Sequence, residues 1–303
     1  MERIVLRPLA KVNLGLDVVG KREDGYHEVR MVMQTLNLHD HLVMEVLQED
    51  VITMKTNLPY LPVNDNNLVV KAVKLMKEKY HITKGVRINL KKVIPVAGGM
   101  AGGSSNAAAA LLGMNLLFEL HLRTGDLMKL GEQLGADVPY CVLRGTVLAE
   151  GIGEKLTTLP PAPKCGVLVV KPSVSASTKK VYEAFDDQEE VKHPLIDELI
   201  NAIEQGDLHE MCKYMGNNLE PVTMAKYPII QTIIDKMERE GALRAMMSGS
   251  GPTVFGIFED LEKAKGAGEQ FAHMKGVGQV HVTSFYNVRG RGKNYGDFKT
   301  NRK

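Results

Sequence analysis

Cysteine is scarce in this 303-residue chain: only Cys141, Cys165 and Cys212. They are odd in number and far apart, so they suggest neither a disulfide framework nor a metal-ligand pattern. A reducing, cytoplasmic setting is expected. Long apolar runs are also missing. The longest, Ala107 to Phe118, is broken by Gly113 and Asn115 and falls short of the ~18 residues of a membrane span. Met1-Glu2-Arg3-Ile4-Val5 lacks the charged-then-apolar layout of a signal peptide. No repeat is visible at solenoid periods. A net charge of +2 argues against a nucleic-acid role for the chain as a whole.

What is present suits a globular protein of two domains. Apolar residues make up 44% of the chain, enough for a sizeable core. The charge is uneven. Residues 289–303 hold Arg289, Arg291, Lys293, Lys299, Arg302 and Lys303 against one acid, Asp297. Glycine-punctuated and without apolar periodicity, residues 287–303 read as a disordered, solubilising tail. An RNA- or membrane-surface role is the alternative.

Strands are expected at Ile4–Leu6, Val12–Val19, Val29–Leu38, Leu42–Leu47, Val86–Leu90 and Cys141–Ala149. Helices are expected at Asn66–Tyr80, Ser105–Leu120 and Asp126–Leu134. Pro160-Pro161-Ala162-Pro163 is a stiff connector. It divides a domain at 1–160 from a second at 164–286. Beyond it come strands at Gly166–Val170 and Gly278–Ser284 and a strand–turn–strand unit across Ala245–Phe258. Helices are expected near Thr178–Phe185, Pro194–Glu204, Leu208–Met215, Pro228–Glu240 and Leu261–Phe271. The mixed order favours an α+β class over a doubly wound sheet.

The strongest chemical signal is Pro95-Val96-Ala97-Gly98-Gly99-Met100-Ala101-Gly102-Gly103-Ser104-Ser105-Asn106, running into an alanine-rich helix. Four glycines in six residues allow close backbone approach to a ligand. Two serines are placed to cap the helix, whose N–H groups and dipole attract anions. The loop is not a Walker A loop, because no lysine precedes Ser104. Nor does it fit a dinucleotide fingerprint. A phosphate cradle is the functional reading and a plain turn the bland one.

Three other segments carry weaker signals. In Ala10-Lys11-Val12-Asn13-Leu14 an alternating strand puts Lys11 and Asn13 on one face. Lys11 is then either at a sheet edge or aimed at an anion. In Gly135-Ala136-Asp137-Val138-Pro139, the proline holds Val138 extended and Asp137 at a corner between helix and strand. There Asp137 is a turn former or a proton acceptor. Met247-Ser248-Gly249-Ser250-Gly251-Pro252 is a hairpin turn or a second small-residue loop lying against the first.

These four segments, in this order, resemble the GHMP kinase superfamily of small-molecule kinases. Pro95 to Ser105 matches its Pro-x-x-x-Gly-Leu-x-(Gly)-Ser-Ser loop, with Met100 in the leucine position. Arg22-Glu23-Asp24-Gly25-Tyr26-His27, Gly135-Ala136-Asp137-Val138-Pro139 and Ala149-Glu150-Gly151-Ile152-Gly153-Glu154 are similar to the branch that acts on a diphosphocytidyl-linked alcohol. The resemblance covers residues 3–285. It implies a ribosomal-protein-like N-terminal domain and a ferredoxin-like C-terminal domain. ATP would bind at Pro95–Ser105, with Mg²⁺ as its metal, and a small cytidyl substrate would lie in the cleft between domains. Lys11 and Asp137 would form the catalytic pair with Asn13 beside them. Tyr26 and Tyr182 would sandwich the cytosine ring, and His27 would read its edge. The position of Tyr182 follows from aligning Val174-Ser175-Ala176-Ser177-Thr178. Ser105 offers a hydroxyl to the metal, whose other protein ligands the sequence leaves unassigned. No membrane or nucleic-acid partner is expected. The rival readings are another kinase of the superfamily, of mevalonate or homoserine type, and a non-catalytic nucleotide- or RNA-binding protein.

Overall fold

Both faces of the run Leu9 to Val18 are buried, so this strand is covered by packed structure on each side. It is the second strand of a computed structural model that describes residues 2–288. The first part of the chain forms β1 (Arg3–Leu6), β2 (Leu9–Lys21), β3 (His27–His39), β4 (His41–Leu47) and β5 (Ile52–Thr56). Next come α1 (Leu68–Lys79), β6 (Gly85–Lys91), α2 (Gly102–Leu117), α3 (Thr124–Glu132), α4 (Val138–Leu143), β7 (Thr146–Glu150) and β8 (Lys155–Thr158). After the proline cluster come β9 (Gly166–Pro172), α5 (Thr178–Asp186), α6 (Ile196–Gln205), α7 (Leu208–Tyr214), β10 (Gly216–Asn217), α8 (Glu220–Lys226) and α9 (Ile229–Arg239). The chain closes with β11 (Arg244–Met247), β12 (Val254–Phe258), α10 (Leu261–Glu269) and β13 (Val277–Ser284).

The strands make three sheets, ordered β1-β4-β6-β5, β10-β2-β3-β7-β8 and β11-β12-β9-β13. The third is antiparallel throughout and is backed by α9 and α10. The mixed helix and strand order bears out the α+β class. β10 comes from the C-terminal half, yet pairs in parallel with β2 at Gly216↔Gly15 and Asn217↔Leu16. The two halves therefore share a sheet. α2 is apolar on all sides and buried along nearly its whole length, from Ser105 to Leu117. Such a helix belongs inside the core, and α2 packs on β1, β2, β4 and on α1, α3 and α4.

Most elements fall where periodicity places them. Two expectations fail for identifiable reasons, and one helix goes unforeseen. The expected strand from Cys141 is instead helical to Leu143, and the strand begins at Thr146. Pro139 sits in the first turn of α4, where a missing N–H costs nothing. Asp137 thus lies between two helices, with φ −80° and ψ −10°. A second proline, Pro221, hides α8 in the same way. Finally, Ser104 and Ser105 do not cap α2. The helix starts earlier, its N-cap is Ala101 in left-handed backbone, and no side chain closes it. Of the expected basic tail, Asn287 donates to the carbonyl of Ala162 (2.9 Å). Residues 289–303 lie outside the described residues.

Leu111, fully buried on α2, tests how much the core depends on this helix. Leu111→Ala should destabilise the fold by about 2–5 kcal/mol, read as a lowered urea midpoint.

Candidate active site

The N-terminus of α2 opens into a cavity of about 1040 Å³. Two glycine loops shape its wall. In the first, Ala97 and Ala101 both hold φ near 50° and Gly99 has φ 74°. Left-handed backbone costs a non-glycine residue about 1–2 kcal/mol, so packing must enforce it. The second loop packs against Gly99, between these two alanines. Ser248 Oγ donates to the Gly99 carbonyl (3.0 Å). A Cβ on Gly99 would lie 2.1 Å from the Ser248 carbonyl oxygen, so only glycine fits. Asn217 Nδ2 donates to the carbonyls of Met247 (3.0 Å) and Gly249 (2.8 Å), fixing the second loop from β10. The expected approach of the two loops is thus observed. Gly102, Gly103 and Ser104 line the cavity. Their N–H groups start a helix that no side chain caps, an arrangement that receives anions. Ser105 is buried and is not part of the lining, so Ser104 is the serine that presents its hydroxyl there.

Lys11 and Asn13 stand on one face of β2, as alternation predicts, and both line the cavity. Lys11 Nζ donates to Asn13 Oδ1 (2.7 Å), and the Lys11 amide donates to the Met100 carbonyl (3.3 Å). The catalytic-lysine candidate is therefore tied directly to the glycine loop. Asp137 lines the same cavity from the α3–α4 junction. The two make no ion pair with each other among the described residues. They do flank a common neighbour. Burial first, and the Asp137 carboxylate second, push the Cys141 thiol up, while the Lys11 ammonium opposes them.

The other end of the cavity is aromatic. The turn between β2 and β3 is fixed by Asp24, which accepts from the Tyr26 amide (3.0 Å) and from Arg22 Nε (3.1 Å). Tyr26 extends from that turn, 61% exposed, at the cavity wall. Tyr182 on α5 reaches the same cavity, and burial, helped by Asp137, pushes its phenol up to about 12. Its ring lies 4.8 Å from the His27 ring, tilted by 45°. Sequence reasoning missed Asp186, one turn beyond Tyr182 on α5. Asp186 Oδ1 lies 2.6 Å from His27 Nε2, and Oδ2 accepts from Lys21 Nζ (2.5 Å). Burial favours the neutral carboxyl, but those two hydrogen bonds outweigh it and hold Asp186 below its ordinary range.

A second missed cluster lies beneath the glycine loop. Asp40, fully buried, accepts from the amides of Val93 (2.7 Å) and Ile94 (2.8 Å) through Oδ1. Its Oδ2 pairs with Lys92 Nζ and accepts from Asn106 Nδ2 (2.7 Å). Lys92 Nζ also donates to Asn106 Oδ1 (3.0 Å). This triangle joins the end of β3, the entry to the loop and the first turns of α2. Burial lowers the Lys92 ammonium from its ordinary value, and Asp40 resists that shift.

Residues 67–145 match the GHMP kinases N terminal domain, and residues 191–275 match the GHMP kinases C terminal region. The chain belongs to the GHMP kinase family. A 4-diphosphocytidyl-2-C-methyl-D-erythritol kinase of Lachnospira eligens is 55% identical over 94% of this chain and 99% of its own length. One of Lachnoclostridium phytofermentans is 52% identical over 94% and 98%. The solved structure of a 4-(cytidine 5′-diphospho)-2C-methyl-D-erythritol kinase superposes with a TM-score of 0.81 at 31% identity, covering 94% of this chain and all of that one. A homoserine kinase from Cytophaga hutchinsonii shares the fold, with a TM-score of 0.75 at 20% identity over 94% of this chain and 95% of its own.

In this GHMP kinase the glycine loop, Lys11, Asn13, Tyr26, His27, Asp137 and Tyr182 all face one cavity. The sequence signal for Asp40 and Lys92 was a charged residue at a strand end, which by itself says nothing of a partner. No group of three or more His, Cys, Asp or Glu able to hold a metal occurs among the described residues. No helix among them is long and apolar enough to cross a membrane. Asp40→Ala would leave the Lys92 ammonium buried without its counter-charge. It should cost about 3–5 kcal/mol, whereas adding Lys92→Met to Asp40→Ala should recover the part due to the unpaired charge and leave the part due to the Val93 and Ile94 amides. Thermal denaturation of both variants checks this.

Proposed function

We propose that this GHMP kinase transfers the γ-phosphoryl group of ATP to the 2-hydroxyl of 4-diphosphocytidyl-2-C-methyl-D-erythritol, in the non-mevalonate route to isoprenoid precursors. The observation that carries the reading is the layout of one cavity. An uncapped helix N-terminus lies in its wall, a lysine and an aspartate face it, and two tyrosines and a histidine line it further along. The named relatives at 55% and 52% identity support the same acceptor. Residues 1–160 and 164–286 serve as the two domains of this kinase.

Phosphoryl transfer needs positioning and charge stabilisation more than covalent help. The N–H groups of Gly102, Gly103 and Ser104 receive the ATP phosphates. Lys11, buried and oriented by Asn13, stabilises charge on the attacking oxygen and the transferring group. Asp137 orients the acceptor hydroxyl and takes its proton. The loose transition state leaves proton transfer late, so a weak base suffices. Tyr26 and Tyr182 flank the cytosine ring, and stacking of this kind contributes about 1–3 kcal/mol per aromatic. The two tyrosines reach the one cavity from different elements, the β2–β3 turn and α5. His27 reads the base edge. Mg²⁺, bound to the nucleotide, would supply neutralisation of phosphate charge. Ser104 is a hard oxygen donor on the cavity wall, which suits a cation that keeps several waters and phosphate ligands.

A coupled assay of ADP release decides the acceptor. Turnover should appear with the cytidyl alcohol and not with mevalonate or homoserine; the reverse preference would overturn the assignment. Asp137→Asn should lower turnover roughly 10²–10⁴-fold with ATP binding retained. Tyr26→Ala should raise the KM for the cytidyl substrate with little change in the KM for ATP. An effect confined to ATP would remove Tyr26 from the base site.

A further inference from the structure

We propose that Asp186 is a positioning residue that sets the base preference of the acceptor pocket, fixing His27 so that it accepts from an exocyclic amine and rejects a keto group. The inference rests on the reading of His27 as a base-edge contact and goes beyond it by naming what orients the ring. It begins from chemistry that the distances impose. An ionised carboxylate only accepts hydrogen bonds. Asp186 Oδ1 lies 2.6 Å from His27 Nε2, so Nε2 is the nitrogen that carries hydrogen and donates. In a neutral imidazole the other nitrogen, Nδ1, is then a bare lone pair. Cytosine presents an amine at the 4-position and uracil presents a carbonyl oxygen there. A lone pair can meet the first and repels the second.

Three further contacts make this arrangement rigid. Lys21 Nζ donates to Asp186 Oδ2 (2.5 Å), so both carboxylate oxygens are engaged and the group is kept ionised. Tyr182, four residues before Asp186 on α5, packs its ring 4.8 Å from that of His27. The His27 side chain is only 10% exposed, so its ring has little freedom to turn over. Lys21 and His27 are at the two ends of the β2–β3 turn, and Asp186 closes that turn against α5. All four residues line the cavity.

The decisive variant is Asp186→Asn, because it keeps the size and changes only the hydrogen-bonding sense. An amide can donate to Nε2. The ring then carries its hydrogen on Nδ1 and presents a donor to the base, as a tautomer change does in an aspartate-to-asparagine substitution at a catalytic histidine. The measurement is calorimetric binding of CDP and of UDP, made at pH 8 for every variant. Wild type should prefer CDP. Asp186→Asn should reduce the CDP/UDP affinity ratio by roughly 10- to 100-fold, with UDP binding gained as well as CDP binding lost. Asp186→Ala, which leaves the ring unoriented, should give an intermediate ratio. Equal weakening of CDP and UDP in Asp186→Asn, or an unchanged ratio, would overturn the proposal, since loss of structure alone weakens both. Absence of any CDP preference in wild type would also overturn it. The readout does not depend on phosphoryl transfer. A chain that prefers CDP but does not phosphorylate the cytidyl alcohol would overturn the proposed reaction and leave this inference standing. A chain that phosphorylates the alcohol with an Asp186→Asn ratio equal to wild type would do the opposite.

Discussion

The uncapped N-terminus of α2 is the constraint on which the site depends. Serine, threonine, aspartate and asparagine are the preferred residues at this position, and here the N-cap is an alanine in left-handed backbone that faces the cavity. The cost of leaving N–H groups open is borne by the surrounding structure. Ser248 clamps Gly99 from one side, and the Asp40–Lys92–Asn106 triangle clamps Val93, Ile94 and the first turns of the helix from the other. The helix itself cannot shift, because it is buried along nearly all its length. Preorganisation of this kind lets backbone groups meet charge without moving at the moment of reaction.

The same economy governs the lysine. Lys11 sits in a strand covered on both faces, where an ammonium without partners would be costly. Asn13 supplies one acceptor, and the open cavity supplies solvent or substrate for the rest. Its distance from Asp137 in hydrogen-bonding terms matters too. Because the pair makes no ion pair among the described residues, each side chain keeps hydrogen-bonding capacity toward the cavity that both line.

Legibility in the sequence followed the separation of partners. The glycine loop and the Lys11–Asn13 face could be read because every residue involved lies within a dozen positions and one local rule. The second loop could be suspected but not placed. Asp186 could not be found, since its partner His27 is 159 residues away and the signal at position 186 is one acid at a helix end. Asp40 and Lys92, 52 residues apart, were invisible for the same reason. The helical errors had a different origin. Pro139 reads locally as a mark of extended chain, although proline is well tolerated in a first helical turn. Ser104 and Ser105 were taken as caps because the rule for serine at a helix start is strong, and the glycines before them were not credited with helix.

The two-residue strand Gly216–Asn217 gives the molecule a mechanical property. It joins the strand that carries Lys11, and the side chain of Asn217 holds the second glycine loop. The covalent link between the halves runs through Pro160–Pro163, and this parallel pairing is a second tie, beside the Leu36–Phe285 bridge and the Arg30–Asp197 pair. Swinging the halves apart would therefore pull on the second glycine loop and on the sheet of Lys11 together. The β2–β3 turn around Tyr26 is tied separately, to α5, through Lys21, His27 and Asp186. The strand that carries Lys11 and the second glycine loop thus move, if they move, as one unit.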